Sequence, residues 1–265
     1  MPDKINLFKF RLIVLLFVSL TTVRAEIEQD APWQSKDYIK KAFFEIAYKN
    51  EYQQKLSKLR RWNKDIKYKV DYFKLPEPFL MAENMIDEQF KDLSDITSLS
   101  IAKSDQAVNF KIILTKRVYY DEAIKKYIRS KVKNLATESN CVLLIKHRKY
   151  SLTEATVIIP VDHVVKYGLL PACVVEELTQ AMGLPNDSDW VKPSVANDKS
   201  VLDLLTGLDY LMLKILYDKR LAIGMSVDQS SLIVDEILLD FEKQGLIKNA
   251  VEKARKLRVS KQLEG

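Results

Sequence analysis

The stretch Glu176-Glu177-Leu178-Thr179-Gln180-Ala181-Met182-Gly183-Leu184-Pro185-Asn186-Asp187 decides the fold of this chain. Over residues 171–182, apolar side chains recur at helical spacing, and charged or amide side chains occupy the other side. Gly183 followed by Pro185 is a typical helix end, with the glycine in a left-handed cap and the proline just beyond it. The segment therefore predicts an amphipathic helix over 171–182.

The polar side of this helix has the spacing of a helical zinc site. In the motif H-E-x-x-H, two histidines four residues apart hold zinc, and the glutamate between them acts as general base. Glu176 and Gln180 stand at the two histidine positions, and Glu177 stands where the catalytic glutamate would be. Gly183 fits the glycine of the longer metzincin pattern. An ordinary amphipathic helix with a solvated polar face accounts for the same residues, so both interpretations stay open.

The donor set on this helix argues against a zinc centre of the usual design. Zinc favours imidazole and thiolate, whereas carboxylate and amide oxygens suit calcium or magnesium better. The chain has two histidines, His147 and His163, and they are not at helical ligand spacing. We therefore expect no cofactor, with a divalent cation, calcium or zinc, as the alternative. The candidate metal ligands are Glu176, Gln180, Asn186 and Asp187, and the candidate general base is Glu177.

The N-terminal residues predict export. Basic residues precede an apolar run from Leu12 to Leu20, and Val23-Arg24-Ala25 provides a cleavage site after Ala25. The run is shorter than the roughly 20 residues that span a bilayer. We expect a periplasmic or secreted protein without a transmembrane anchor. Residues 1–25 contribute three net positive charges to the total of +6, which leaves about +3 on the mature chain.

The two cysteines, Cys141 and Cys173, both lie in the predicted mature chain. In an oxidising compartment an even pair is usually bridged, so we predict a Cys141–Cys173 disulfide. Closing a loop of this length stabilises the fold by roughly 3–4 kcal/mol in the chain-entropy model. The alternative is a reactive Cys173 with His163 as its base.

The elements predicted from hydrophobic periodicity mix strands and helices in the first part of the chain and are helical throughout the last part. That order favours an α+β fold with a small mixed sheet and a helical C-terminal half. We expect a signal peptide over 1–25, one domain over 26–245 and a basic helical tail over 246–265. The predicted strands are 66–72, 108–114, 142–146 and 155–161, and the predicted helices are 35–60, 79–93, 121–135, 171–182, 200–217, 229–243 and 246–260.

The helix segment and several others resemble an uncharacterised family of exported bacterial proteins, the domain of unknown function numbered twenty-nine twenty-seven. The resemblance implies a fold like that of the zincin metallopeptidases. In metzincins a tight turn carrying a methionine lies under the metal, and Gly224-Met225-Ser226 follows Gly183 by about 40 residues, in the expected order. A methionine packed in a core turn explains Met225 equally well. The segments that carry the resemblance are Cys173–Asp187, Arg61-Trp62, Asn109-Phe110, Lys192-Pro193-Ser194, Leu205–Asp209, Leu216–Arg220 and Gly224-Met225.

These observations favour an exported protein with a degenerate metallopeptidase-like site that binds or scaffolds without catalysis, a pseudoenzyme. Its expected partner is a peptide, a glycan or another envelope protein. Nucleic acid is not expected, because an exported protein rarely meets it and the basic tail reads as a solvated helix face. The alternative is an atypical hydrolase or peptidase that uses Glu177 as general base. A third possibility is a structural hydrogen-bond network or calcium site built from Glu176, Gln180 and Asp187.

Overall fold

A computed structural model describes residues 32–49, 58–130, 132–197, 199 and 202–264. The predicted signal segment 1–25 lies outside these residues, as does most of the second half of the predicted helix 35–60. Residues Trp33–Gly265 form one folded unit. Within the described part of the chain, no helix is long and apolar enough to cross a membrane.

A five-stranded mixed sheet forms the first half of the fold. The order across the sheet is β2-β1-β3-β5-β4. The pairs β1–β2, β1–β3 and β3–β5 are parallel, and β4 runs antiparallel to β5. Because β4 is the last strand in this order, its outer edge has no strand partner among the described residues. The strands are β1 (Ile66–Tyr72), β2 (Ile101–Lys103), β3 (Phe110–Thr115), β4 (Val142–Arg148) and β5 (Ser151–Pro160).

The burial of each strand follows from its place in the sheet. The central strands β3 and β5 are buried along most of their length, as expected for strands covered on both faces. On one face, Phe110 contacts Phe90 of a covering helix, with ring centroids 5.0 Å apart. On the other face, Ile113 and Ile158 pack with Tyr120 in a second cluster. The edge strand β4 is only half-buried over its first residues and exposed at its end.

The helices cover the sheet and then form the C-terminal half. Helix α7 lies at the centre of that half, with most of its side chains buried, and α1, α2 and α9 pack around it. Helix α6 packs mainly on α2 and also contacts β5. The helices are α1 (Lys36–Tyr48), α2 (Leu80–Thr97), α3 (Tyr120–Ala123), α4 (Leu135–Glu138), α5 (Val161–Lys166), α6 (Leu170–Gln180), α7 (Gly207–Leu216), α8 (Val227–Lys243), α9 (Ala250–Arg255) and α10 (Arg258–Glu264).

The segment predicted as a basic tail packs on the rest of the fold. Ala250 and Ala254 of α9 are buried, and α9 lies against α7. The carboxylate of Asp92 on α2, itself buried, accepts hydrogen bonds from the backbone N–H groups of Arg258 and Val259. This carboxylate therefore caps the start of α10 with negative charge, where the helix dipole favours it.

The predicted α+β class, with a small mixed sheet and a helical C-terminal half, is confirmed. The predicted helix 121–135 is wrong, since the chain forms α3, a π turn over Ile124–Ile128 and then the short α4. Its apolar spacing holds only as far as Ile128, and Arg129 then adopts a left-handed conformation that ends the helix. Strand β2 and helix α5 were missed because three and six residues are too few for periodicity to show.

Candidate functional site

A disulfide joins the first turn of α6 to the beginning of the edge strand β4. Cys173, the fourth residue of α6, forms a disulfide with Cys141, which directly precedes β4. The predicted disulfide is therefore present. The alternative in which Cys173 attacks a substrate with His163 as base is wrong, because the sulfur of Cys173 is already bonded.

The other end of α6 lies against an extended segment, residues 59–62. Gly183 has a φ of +114°, and a Cβ at this position would overlap the carbonyl oxygen of Arg60. Trp62 donates its indole N–H to the carbonyl of Ala181 at 2.8 Å, which satisfies one of the free carbonyls at the helix end. Only glycine fits at residue 183, because both the backbone conformation and the close approach exclude a side chain.

Three of the predicted site residues come together on one side of α6. The side-chain Nε2 of Gln180 donates to Asp187 Oδ1 at 2.7 Å and to Glu176 Oε1 at 3.4 Å. The opposite orientation of this amide would set its oxygen against the carboxylate of Asp187, which is repulsive. Amide hydrogens therefore face the two carboxylates in this arrangement.

The other candidate ligand, Asn186, lies apart from this group. It is buried, and its amide donates to the backbone carbonyl of Glu45 in α1 at 3.1 Å. Its backbone N–H also bonds α1, at Ile46. Asn186 thus attaches the loop after α6 to α1. Within the described ranges, no group of three or more His, Cys, Asp or Glu side chains is arranged to hold a metal ion.

Glu177, the candidate general base, points away from Glu176 because neighbouring positions on a helix diverge by about 100°. Its side chain is buried, with 7% exposure. Burial raises the pKa of Tyr120, and the negative charge of Glu177 adds to that rise. The Tyr120 hydroxyl also bonds the Ser139 hydroxyl at 3.0 Å. Glu177 therefore lies near the hydrophobic cluster that contains Ile113, Tyr120 and Ile158. Its charge disfavours ionisation of the Tyr120 hydroxyl.

The turn that carries Met225 lies on the far side of the 59–62 segment. The backbone of Leu59 exchanges two hydrogen bonds with this turn, from Gly224 N–H at 2.9 Å and to Met225 C=O at 2.8 Å. The sulfur of Met225 accepts a hydrogen bond from Ala222 within the same turn. One extended segment thus joins the end of α6 to the methionine turn.

Sequence reasoning found strands β4 and β5 but missed the tight turn that joins them into a hairpin next to this segment. The two turn residues, Lys149 and Tyr150, both have positive φ, +47° and +71°. The ring of Tyr150 lies against Gly224 and stacks on His147, with ring centroids 6.4 Å apart. The sequence signal in this region is the basic run Lys146-His147-Arg148-Lys149. Hydrophobic periodicity indicates only that a strand ends there.

A family model described as "Protein of unknown function (DUF2927)" matches residues 36–236. The chain belongs to the DUF2927 family. The match takes in the whole sheet, α6 and α7, and it ends within α8, so that α9 and α10 lie beyond it. A search of curated proteins found no match to this chain.

The segment Leu205–Asp209, which lies within the matched range, builds a buried network around Asp209. This carboxylate accepts hydrogen bonds from the hydroxyl of Ser194 and from the backbone of Val195, and it also accepts from both the hydroxyl and the backbone N–H of Thr206. Burial raises the pKa of Asp209, while these hydrogen bonds oppose the rise. The network caps the start of α7 and attaches the loop that carries Ser194. Asp209 therefore has a structural role.

Other segments within the matched range also stabilise the fold. Arg61 donates to the backbone carbonyls of Leu216, Asp218 and Leu221, which caps the end of α7. Asn109 bonds the backbone of residues 65 and 67 and so aligns β1 with β3. These segments of the matched range thus hold the α6 helix, the methionine turn and the sheet in place.

Proposed function

We propose that this protein is an exported, non-catalytic binding protein of the cell envelope that takes an extended peptide along the outer edge of β4. The observation that carries this proposal is the half-buried edge strand β4, which the Cys141–Cys173 disulfide joins to α6. Strand edges bind peptides by adding a strand, because the free backbone N–H and C=O groups supply main-chain hydrogen bonds.

The side chains of β4 are those expected for a strand whose free edge is covered by a partner strand. Val142, Leu143, Leu144 and Ile145 are four consecutive apolar residues, and each is only partly buried. An edge strand that faces water usually carries charged side chains along its length, which prevent it from pairing with another chain. Here the charges begin only at Lys146, where the register of the β4–β5 pair also shifts. The apolar part of the edge suits a partner strand.

The arrangement on α6 supports binding without catalysis. A zincin-like hydrolase needs a metal-bound water beside its glutamate. Glu176 and Gln180 occupy the two ligand positions of α6. Gln180 donates hydrogen bonds to Glu176 and to Asp187. Glu177 would act as an effective base only beside such a metal. We therefore also propose that the fold is like that of a zincin and that the site on α6 is a degenerate metallopeptidase site.

Export is part of the same proposal. The charge pattern of residues 1–25 supports cleavage after Ala25, and the Cys141–Cys173 disulfide suits an oxidising compartment. Secreted or periplasmic protein should therefore carry no alkylatable thiol until it is reduced. Protein trapped in the cytoplasm by deletion of 2–25 should carry two. Mass spectrometry after thiol alkylation of both fractions measures this difference.

The binding proposal is tested with a photo-crosslinking residue. The crosslinker replaces Leu144 on β4, and the matched control replaces Leu232 on α8, which is 75% exposed. A pool of random octapeptides is added and irradiated. We expect crosslinked peptide at residue 144 well above that at residue 232. Equal yields at the two positions would contradict binding at the strand edge.

The same pool separates binding from hydrolysis. After incubation with the protein, mass spectrometry of the octapeptides should find no cleavage. Cleavage that disappears in Glu177→Ala, with the variant still folded, would replace this proposal with the alternative of an atypical peptidase that uses Glu177 as general base.

A further inference from the structure

Residues 116–133, which follow β3, concentrate positive charge at one end of the sheet. Seven side chains of this segment are basic and two are acidic, which gives it a net charge of +5. The predicted mature chain carries about +3 in all, so the rest of that chain is negative on balance. A local excess of one sign on a nearly neutral protein suits a partner of the opposite sign.

The two acidic side chains of the segment are already paired. Asp121 forms an ion pair with Lys125 one helical turn away, and Glu122 pairs with Lys74 at 2.6 Å. Other cations of the segment are exposed and form no ion pair with any residue that the structure describes, namely Lys126, Arg129 and Lys133. Their charges are available to an anionic partner.

Two lysines at this end of the sheet lie over aromatic rings. The ammonium of Lys126 is 4.8 Å from the ring centroid of Phe73 and 4.9 Å from that of Tyr127. The ammonium of Lys74 is 5.6 Å from the Phe73 centroid and 4.9 Å from that of Tyr119. Both lysines are exposed, so each covers apolar surface while its charge stays in water. Lysine side chains are favoured in this arrangement at membrane interfaces.

Apolar side chains are exposed in the same segment. Val118 is 76% exposed in the short turn that precedes α3, and Val132 is 47% exposed beyond the π turn. The rings of Tyr119 and Tyr127 pack against the cluster that contains Ile113, and their hydroxyls form no hydrogen bond with another described residue. Tyrosines with an apolar ring and a solvated hydroxyl are enriched where a protein meets lipid headgroups.

Helix α5 extends this surface. Strands β3 and β5 are parallel neighbours, so the chain leaves both at the same edge of the sheet. The backbone N–H of Arg117 donates to the Asp162 carboxylate at 2.7 Å, which joins the turn after β3 to the start of α5. At the end of α5, the Lys166 ammonium lies 5.2 Å from the ring centroid of Tyr167, and Tyr167 is 58% exposed. A lysine over an aromatic ring thus recurs on the adjoining element.

The backbone that carries Lys126 and Arg129 is packed and hydrogen-bonded. The N–H of Arg129 donates to the carbonyl of Ile124 at 2.9 Å and closes the π turn, and Arg129 itself is left-handed with φ +58°. Ile124 is buried in the cluster beneath. The cations are therefore presented by an ordered turn, so binding a partner costs little further ordering of the chain.

We propose that this surface, formed by Phe73, Lys74, residues 116–133 and α5 with Tyr167, docks the protein on a membrane that carries anionic phospholipids. The cations bind the lipid phosphates, while Val118 and the tyrosine rings enter the headgroup layer. A soluble anion would use the cations alone, whereas a lipid surface also covers the exposed apolar side chains. The inference does not depend on peptide binding at β4, and it gives the protein a position in the envelope.

The test is co-sedimentation with lipid vesicles of the mature protein, expressed from the full chain so that its own export forms the disulfide. One set of vesicles is phosphatidylcholine alone, and the other is phosphatidylcholine with about one third phosphatidylglycerol. We expect the protein to sediment with the anionic vesicles and to bind the neutral ones at least tenfold more weakly. Binding should weaken between about 0.01 M and about 0.15 M salt, because the Debye length falls from about 30 Å to about 8 Å.

A charge-removing double variant tests the cations. Lys126→Gln/Arg129→Gln should weaken binding to the anionic vesicles roughly 25-fold, which is about fivefold for each cation removed. The matched control is Lys243→Gln/Lys248→Gln, which makes the same charge change at two exposed positions at and after the end of α8 and should bind as the wild type does.

A second variant tests the apolar part of the surface. Val118→Ser leaves the charge unchanged and should weaken binding severalfold, because less apolar area enters the headgroup layer. Val118 is 76% exposed, so this variant should fold even if the double charge variant does not. Leu232→Ser on α8 is its matched control, since Leu232 is 75% exposed, and it should retain full binding.

The outcomes distinguish this inference from its alternatives. A protein that sediments with neither set of vesicles, or equally with both, would overturn it. Equal losses in the two double variants would show that only net charge matters and overturn the assignment to this surface. A short double-stranded DNA that binds as tightly as the anionic vesicles, with Val118→Ser changing neither affinity, would replace the lipid with a soluble polyanion. Peptide crosslinking at residue 144 is measured without vesicles, so either proposal can fail alone.

Discussion

The side chain of Gln180 reaches across the end of α6 and donates a 2.7 Å hydrogen bond to Asp187. The same nitrogen lies 3.4 Å from Glu176. An uncharged donor between two carboxylates reduces their mutual repulsion and needs no ion. The group therefore has the residues of a cation site arranged as a hydrogen-bond network, and this difference can be tested by changing one atom of Gln180.

We expect Gln180→Glu to be less stable than Gln180→Met at pH 7, by about 1–2 kcal/mol. The new carboxylate faces Asp187 and Glu176, whereas Met only removes the donor. Acidification should recover the loss in Gln180→Glu, because protonation removes the added charge. Urea unfolding at pH 7 and pH 4.5 measures both effects. Stabilisation of Gln180→Glu by millimolar calcium at pH 7 would instead show that the group holds a cation.

The outline of a zinc site on α6 leads to a second prediction. Glu176→His/Gln180→His places two imidazoles four residues apart on one side of the helix, with the Asp187 carboxylate beside them. We expect this double variant to bind one zinc ion per chain, as measured by elemental mass spectrometry after dialysis. Glu176→Ala/Gln180→Ala serves as the matched control and should bind none.

The double variant tests the geometry independently of any activity. If the histidine variant binds no more zinc than the alanine control, Asp187 is not positioned as a third ligand, and the zincin-like interpretation of α6 loses its support. Zinc bound by the wild-type protein and lost in the alanine control would restore the hydrolase alternative.

The sequence predicted the fold class and the 171–182 helix because each rests on local patterning. Strands β1, β3, β4 and β5 were found within a few residues of their bounds, since alternation or apolar runs mark them. The helix end at Gly183 was found because glycine and proline punctuate the chain there. These features depend on neighbours in sequence, which a single chain displays.

The parts that could not be predicted depend on contacts between distant residues. Asn186 looked like a ligand next to Asp187, but its amide reaches α1, more than a hundred residues earlier. Arg60 carried no signal, because its environment comes from Gly183 and from the hairpin at Tyr150. Which polar residues meet is decided by packing, and local periodicity does not encode it.

The contact between Gly183 and Arg60 predicts a large effect from a small change. Gly183→Ala should destabilise the protein by about 3 kcal/mol or more, because the methyl group overlaps the Arg60 carbonyl and φ is +114°. Gly168→Ala is the control, since its φ is +70° but nothing lies within 4 Å of the added Cβ. It should cost only about 1 kcal/mol. Urea unfolding followed by tryptophan fluorescence compares the two, and equal losses would show that the contact is unimportant.

The proximity of Arg60 and His147 can be measured without any ligand. Partial burial lowers the pKa of His147 below its usual value, and the positive charge of Arg60 lowers it further. Arg60→Gln should therefore raise the pKa of His147, while Lys243→Gln should leave it unchanged. The chain has two histidines, so a His163→Gln background leaves one resonance to follow by NMR titration.

The sign of the associated stability change follows from the same shift. Because the folded state binds a proton at His147 less readily than the unfolded chain, stability should fall as the pH drops through the unfolded pKa of about 6.5. Arg60→Gln should reduce that fall, since it removes one cause of the lowered pKa. An identical His147 titration in the wild type and in Arg60→Gln would mean that the guanidinium does not lie close to the His147 ring.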